Sequence, residues 1–428
     1  MQGYAEEATP AIDSAEGVWL VDTNGRRYID GVSSLWCNVH GHRHPGIDAA
    51  IREQLERVAH TTMLGLSHPP AEELARRLVA LAPAPSPRQE RDRLRRVFFS
   101  DSGSTAVEVA LKMAFQYWQQ SNDACPTRNR FLSLENGYHG DTIGSVSVGG
   151  IDLFHSLYRP LLFDSFKVPA GAVGAVARAL AEHENEIAAV VVEPLVQGAA
   201  GMLLQPDGYL AAVRELCDRH DVFLICDEVA TGFGRTGTMF ACEQERVVPD
   251  FLCLGKGLTG GYLPLAATLT TERVFEGFLG AHEDFRTFFH GHTFTGNPLG
   301  CAAGLATLDA FEEERTLDRL APKIELLQQL LVELIEPLPH VQEVRQLGFM
   351  CGIELAAARN TPYPTAARMG HRVTLEARAR GAVIRPLGDV IVLMPALSME
   401  ADELEELLEI TADSIAAATG TAELQIAA

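Results

Sequence analysis

The sequence predicts an α/β protein: a large layered domain built on a mostly parallel sheet, followed by a smaller α+β domain. Three observations carry this. From about residue 97 short apolar runs alternate with amphipathic helical stretches, the pattern of buried strands joined by helices. After GNPLGCAAGLATLDAF the pattern changes to long amphipathic helices around two short strand candidates. The 428 residues are 47% hydrophobic and 21% charged, enough apolar material for two large domains or roughly three ordinary ones.

The elements follow in order. VWLVDTNGRRYIDGVSS reads as a hairpin, two short apolar runs around Asn24-Gly25. IREQLERVA predicts a helix with Ile51, Leu55 and Val58 on its inner face, and EELARRLVALA a second with Leu74, Leu78 and Leu81. APAPSP ends the second helix, because proline cannot continue it. RQERDRLRR holds five arginines and two acids and reads as a solvated surface loop rather than an anion patch. RVFFS is a strand, STAVEVALKMAFQYW a helix, and RFLSLE a strand. IAAVVVEP, VFLICDE and DFLCLGK are further strands, with the helix DGYLAAVRELCDRH before VFLICDE. In the C-terminal part, helices are expected over 321–335, 365–380 and 399–418, with GFMCGIEL and DVIVLMP as strands.

Composition excludes several classes. The formal net charge is −22, so a phosphate backbone would be repelled over most of the surface and no nucleic-acid partner is expected. No run of about 18 apolar residues is present, so no membrane span is expected. MQGYAEEATPAID has neither a basic start nor an apolar run, unlike a secretory signal. The eight cysteines form no C-x-x-C pair and several lie in apolar strand-like runs, as buried reduced thiols do. A cytoplasmic location is expected.

Four short stretches could carry chemistry. Ser102-Gly103-Ser104-Thr105 lies between a strand and a helix, where free N–H groups bind anions; an ordinary N-cap is the alternative. Asp227-Glu228 emerges from a buried strand, either facing a ligand crevice or capping the next turn. Lys256 ends another apolar strand between Gly255 and Gly257, as a salt-bridge lysine or a Schiff-base lysine. A P-loop is excluded, since Asp250 stands where its first glycine belongs and Gly257 follows the lysine. His40, His42 and His44, with His290 and His292, raise metal ligation. H-x-H spacing alone is unspecific and Arg43 would repel a cation, so no metal is expected. The first three stretches fit one chemistry together. Pyridoxal phosphate needs a phosphate cradle, a lysine for the imine, and an aspartate that keeps its ring nitrogen protonated.

With these residues on view, the chain resembles the subgroup III pyridoxal-phosphate aminotransferases, of the aspartate-aminotransferase-like fold type I. The motifs span nearly the whole chain: DTNGRRYIDGVSS, DSGSTAVEVALKMA, NGYHGDT, EPLVQGAAG, DEVATGFGRTGTMFACE, PDFLCLGKGLTGGYLPLAAT, HGHTFTGNPLGCAA and IRPLGDVIVLMP. The resemblance implies an N-terminal segment (1–48) joining the small domain, a large cofactor-binding domain (49–312) and a C-terminal small domain (313–428). It implies catalytic roles for Lys256, Asp227 and the ring-stacking Tyr138. Gly103 and Ser104 would bind the phosphate, and Val229 would cover the other ring face. Thr293 would reach the phosphate of a neighbouring subunit, which implies a homodimer with shared sites. Trp36, Gly291 and Arg385 would join Tyr138 and Lys256 around the substrate.

Many family members acting on ornithine, acetylornithine or 4-aminobutyrate carry Gln and Glu where this chain has Ala230 and Ala199. The chain resembles instead the branch that aminates 8-amino-7-oxononanoate in biotin biosynthesis, with Arg385 on the substrate carboxylate and S-adenosylmethionine as donor. Leu35, where the adenosyl-using members often have a second Trp, points to lysine as a competing donor, unless position 35 faces the core. Two further readings are open: a different ω-amino acid aminotransferase, and a catalytically silent protein on the same fold. Retention of Lys256, Asp227 and Tyr138 together argues against the silent one.

Overall fold

Strands too apolar to face water build the centre of the molecule. All six residues of Ile187–Val192 are buried, as are those of Phe223–Asp227 and Phe251–Leu254. The computed structural model describes residues 9–84 and 92–426. Its seven-stranded sheet runs in the order Leu94–Ser100, Ala266–Thr271, Phe251–Leu254, Phe223–Asp227, Ile187–Val192, Arg130–Leu134, Phe166–Val168. Ala266–Thr271 is antiparallel to both its neighbours and the remaining pairs are parallel. That strand carries no apolar run. Its buried threonines are accommodated because Thr268 Oγ1 donates to Ala106 O (2.7 Å) and Thr270 Oγ1 to Asp250 O (3.0 Å). The helix Gly103–Gln120 covers one face with Ala106, Val107, Ala110, Tyr117 and Trp118.

The N-terminal strands meet a strand of the C-terminal part. Ile12–Glu16, Trp19–Asp22 and Arg27–Asp30 form an antiparallel sheet, extended in parallel by Ala382–Val383. A second antiparallel sheet runs Val341–Leu347, Met350–Leu355, Val390–Leu393, Arg385–Leu387. The helices Met369–Arg380 and Ala401–Ile426 pack together beside it.

Several expectations need correction. In the helix Pro45–Arg57 the buried residues are Ile47 and Gln54, while Leu55 is exposed and Val58 lies beyond the helix end. The face is set by the neighbouring helix Pro298–Glu313, whose Ala303 and Ala306 pack on Ile47. The first sheet strand begins at Leu94, so Arg95 and Arg96 belong to it rather than to a loop. Arg88 and Arg91 lie outside the described residues. The helix expected at 321 runs over Thr316–Leu330 and closes in a π-type turn, Leu331–Ile335. All eight cysteines are free, six buried and two half-buried. No helix among the described residues is long and apolar enough to cross a membrane.

Functional side chains gather at one edge of the large sheet. Asp227 ends its strand, Glu193 directly follows Val192, and Lys256 lies two residues beyond Leu254. These are the carboxyl ends of parallel strands, where open α/β sheets bind ligands.

Candidate active site

The strand Leu94–Ser100 delivers the chain to Ser102, the N-cap of the helix Gly103–Gln120. Ser102 and Thr105 cap each other's backbone, which leaves the first helical N–H groups of Gly103 and Ser104 to face outward. Three segments press on this point. A Cβ on Gly103 would come within 2.3 Å of Val229 Cγ1, and one on Gly140 within 2.3 Å of Ser104 Oγ. Thr142 closes the cradle, its N–H donating to Ser104 Oγ (3.1 Å) with the two hydroxyls 2.8 Å apart. Outward N–H groups, a helix dipole and two hydroxyls suit a phosphate.

The two carboxylates at the end of Phe223–Asp227 diverge. Glu228 turns inward and accepts from Thr231 Oγ1 (2.6 Å), Ala241 N (3.0 Å) and Cys242 N (2.8 Å), so it braces the following loop. Asp227 faces the crevice. Its Oδ1 accepts from Val229 N (3.1 Å), and its Oδ2 lies 2.8 Å from His139 Nδ1, both residues being buried. A buried carboxylate needs such a partner to remain ionised.

Lys256 is held at φ +43°, a left-handed conformation that costs a non-glycine residue about 1–3 kcal/mol. Burial holds its amine below the usual lysine range, opposed by Asp227 and then by Glu193. Its Nζ lies 5.0 Å from the centre of the Trp36 ring. Glu193 is buried and accepts from the N–H groups of Tyr138 and Gly198, both at 3.2 Å. Burial pushes its carboxyl up to about 7.

These groups border one cavity of about 680 Å³. Tyr138 lies on its wall, the hydroxyl donating to Asp141 Oδ2 (3.0 Å); burial and then the Asp141 carboxylate raise its pKa, which the nearby Arg385 offsets only in part. Trp36, Phe154, Ala199, Ala230 and Leu387 give the wall its apolar character. Leu35 also lines the cavity and is 49% exposed, so it does not face the core. The Arg385 guanidinium makes no hydrogen bond or ion pair among the described residues. Gly291 and Thr293 do not border this cavity; they lie on an exposed loop, where His292 Nδ1 is 2.8 Å from Asp101 Oδ2. The other histidines of the two H-x-H stretches have partners: His40 meets Thr307 O, His42 Asp30, His44 Glu314 and His290 Lys112. The structure thus brings together Lys256, Asp227, Tyr138, Gly103, Ser104, Val229, Trp36 and Arg385. Sequence reasoning missed His139, Glu193 and Thr142. The cost of burying Asp227 was the one signal that called for a partner such as His139.

A phosphate cradle, a buried carboxylate and a depressed amine around one cavity fit pyridoxal phosphate and define a site for that cofactor. Comparison with known proteins agrees. Residues 3–415 match the family described as aminotransferase class-III. An adenosylmethionine-8-amino-7-oxononanoate aminotransferase of Nitratidesulfovibrio vulgaris is 60% identical over 427 residues, 95% of this chain and 77% of the relative. The crystal structure of the enzyme so named from Methanocaldococcus jannaschii superposes with a TM-score of 0.91 at 42% identity, covering 97% of this chain and 94% of that one. An amine transaminase from an uncultivated Pseudomonas species, solved in its PLP-bound form, gives 0.87 at 36% identity, covering 97% and 96%. The chain belongs to the class-III aminotransferases. It is a fold type I enzyme that uses pyridoxal phosphate.

Proposed function

We propose that this aminotransferase converts 8-amino-7-oxononanoate to 7,8-diaminononanoate in biotin biosynthesis, with S-adenosylmethionine as amino donor. One observation carries the reading: a largely apolar cavity bordered by a single guanidinium, Arg385, that has no partner among the described residues. A long oxo acid presents that pattern, a carboxylate at one end and an apolar chain behind it. Ala199 and Ala230 keep the wall free of the polar side chains that a shorter, more charged substrate would use. The names of the relatives in Nitratidesulfovibrio and Methanocaldococcus support the same substrate and donor. A specific observation favours lysine as the second reading: Leu35 borders the cavity and supplies no π-face for a sulfonium or an adenine. The enzyme works in the cytoplasm as a homodimer. Exposed apolar side chains, among them Leu64, Leu153, Leu157 and Phe289, support a covering partner.

The residues divide the work. Pyridoxal phosphate, when bound, supplies a carbonyl that couples to amines and a ring that draws electrons from the neighbouring carbon. Gly103, Ser104 and Thr142 would hold its phosphate, and Lys256 would hold its carbonyl carbon. Asp227, oriented by His139, would keep a proton on the ring nitrogen. Lys256 Nζ, whose amine burial holds below the usual lysine range, would take the proton from the donor's amine-bearing carbon and later return one to C7 of the oxo acid. Arg385 binds the carboxylate, and the apolar wall keeps water from the reacting carbon.

Purified protein supplied with 8-amino-7-oxononanoate should form diaminononanoate with S-adenosylmethionine, assayed beside lysine at equal concentration. Strong preference for lysine would replace the donor, and no product with either would remove the substrate. Arg385→Ala should raise KM for the oxononanoate roughly ten- to hundredfold while sparing the donor, the worth of one charge-assisted contact. Equal loss for both substrates would assign Arg385 to the turn at Gly388-Asp389 instead.

A further inference from the structure

The turn at Ser33–Trp36 is built against its own backbone preferences. Ser33, Ser34 and Trp36 have φ of +48°, +60° and +67°, and none is glycine. Runs of left-handed non-glycine residues persist only where the surroundings dictate them. The dictating group is Asp30, the last residue of the strand Arg27–Asp30, itself 2% exposed. Its Oδ1 accepts from Val32 N (3.2 Å) and its Oδ2 from Ser34 N (2.7 Å). His42 Nε2 meets the same Oδ2 at 2.9 Å and holds the carboxylate from the other side. A second clamp fixes the start of the turn. Ser33 Oγ donates to Met394 O (2.9 Å), and the buried Arg235 guanidinium donates to Met394 O and Pro395 O. The turn delivers two side chains to the cavity, Leu35 on its wall and Trp36 with its ring 5.0 Å from Lys256 Nζ. Trp36 Nε1 is buried and has no hydrogen-bond partner among the described residues.

We infer that Asp30, braced by His42, is a positioning residue for the transamination: its carboxylate holds the left-handed turn that sets Trp36 against the Lys256 amine. Asp30 does not border the cavity and acts only through the turn. The inference rests on the proposed roles of Trp36 and Lys256. A neutral amide at position 30 offers one acceptor oxygen in place of two, so either Val32 N or Ser34 N loses its partner. The turn then relaxes toward right-handed conformations and the indole leaves the amine.

The chain has three tryptophans, Trp19, Trp36 and Trp118, which makes fluorine NMR of 5-fluorotryptophan-labelled protein a direct readout. Trp36→Phe assigns the signal, and the core residue Trp118 serves as reference. In Asp30→Asn the Trp36 signal should shift and broaden while that of Trp118 stays in place. The single-turnover rate with either substrate should fall about tenfold to hundredfold, the cost of a small misplacement at the reacting centre. Cofactor affinity should be retained. Asp30→Ala should act in the same direction and more strongly; if it does not fold, Asp30→Asn and His42→Gln carry the test. An unmoved Trp36 signal with unchanged rates would overturn the inference. So would Trp118 and the thermal midpoint moving in step with Trp36, which would make Asp30 a support of the fold alone. The signal is read without substrate. A wrong substrate assignment would therefore remove oxononanoate turnover from wild type and variant alike and leave the Trp36 shift standing.

Discussion

Lys256→Ala is expected to lower multiple-turnover transamination by at least about a thousandfold, the scale of a lost general base, and to leave the fold intact. The side chain borders the cavity, with its Nζ 5.0 Å from the centre of the Trp36 ring. Alanine also relieves a buried amine whose pKa burial already depresses. Backbone strain acts the other way, because φ +43° remains strained for alanine, so no large gain in stability is expected. Chemistry takes the whole effect, since no other amine borders the cavity among the described residues. The check is product formation over many turnovers beside circular dichroism and cofactor absorbance. Retention of most turnover by Lys256→Ala would remove the assignment, whatever its effect on cofactor binding.

That Lys256 and Asp227 were legible in the sequence has a physical reason. A charged residue placed at the end of a run as apolar as FLCL or VFLIC, one glycine on for Lys256, is costly unless the strand end opens on a ligand. The helix cap at Ser102-Gly103-Ser104 was legible for a similar reason, small residues at a strand-to-helix junction. His139 was not, because its role is defined by Asp227, 88 positions away, and no spacing links them. Glu193 hides in the same way: it reads as the polar end of IAAVVVEP until the fold sets Tyr138 and Gly198 against it. The antiparallel strand Ala266–Thr271 escaped because its threonines look polar, and only the carbonyls of Ala106 and Asp250 make them fit to be buried. The exposed Leu55 shows the reverse error. Helical periodicity named it as core, and the helix Pro298–Glu313 selected a different face.

Two impaired variants, Lys256→Ala and Thr293→Ala, are expected to complement each other when they share one dimer. Thr293 does not border its own chain's cavity and lies exposed on the loop that His290 and His292 tie to Lys112 and Asp101. If Thr293 serves the partner's phosphate, each site takes Lys256 from one chain and Thr293 from the other. Thr293→Ala alone should weaken cofactor affinity roughly tenfold or more, the worth of one hydrogen bond to a charged group. In a heterodimer of Lys256→Ala and Thr293→Ala chains, one site lacks both groups and the other has both. That dimer should show about half the wild-type rate, because one of two symmetric sites is whole, and should bind cofactor at that site with wild-type affinity. Tagging the two chains differently and purifying through both tags isolates the heterodimer from the two homodimers. Should that sample need the same raised cofactor concentration as Thr293→Ala itself, Thr293 belongs to its own chain's site and the two cavities are independent.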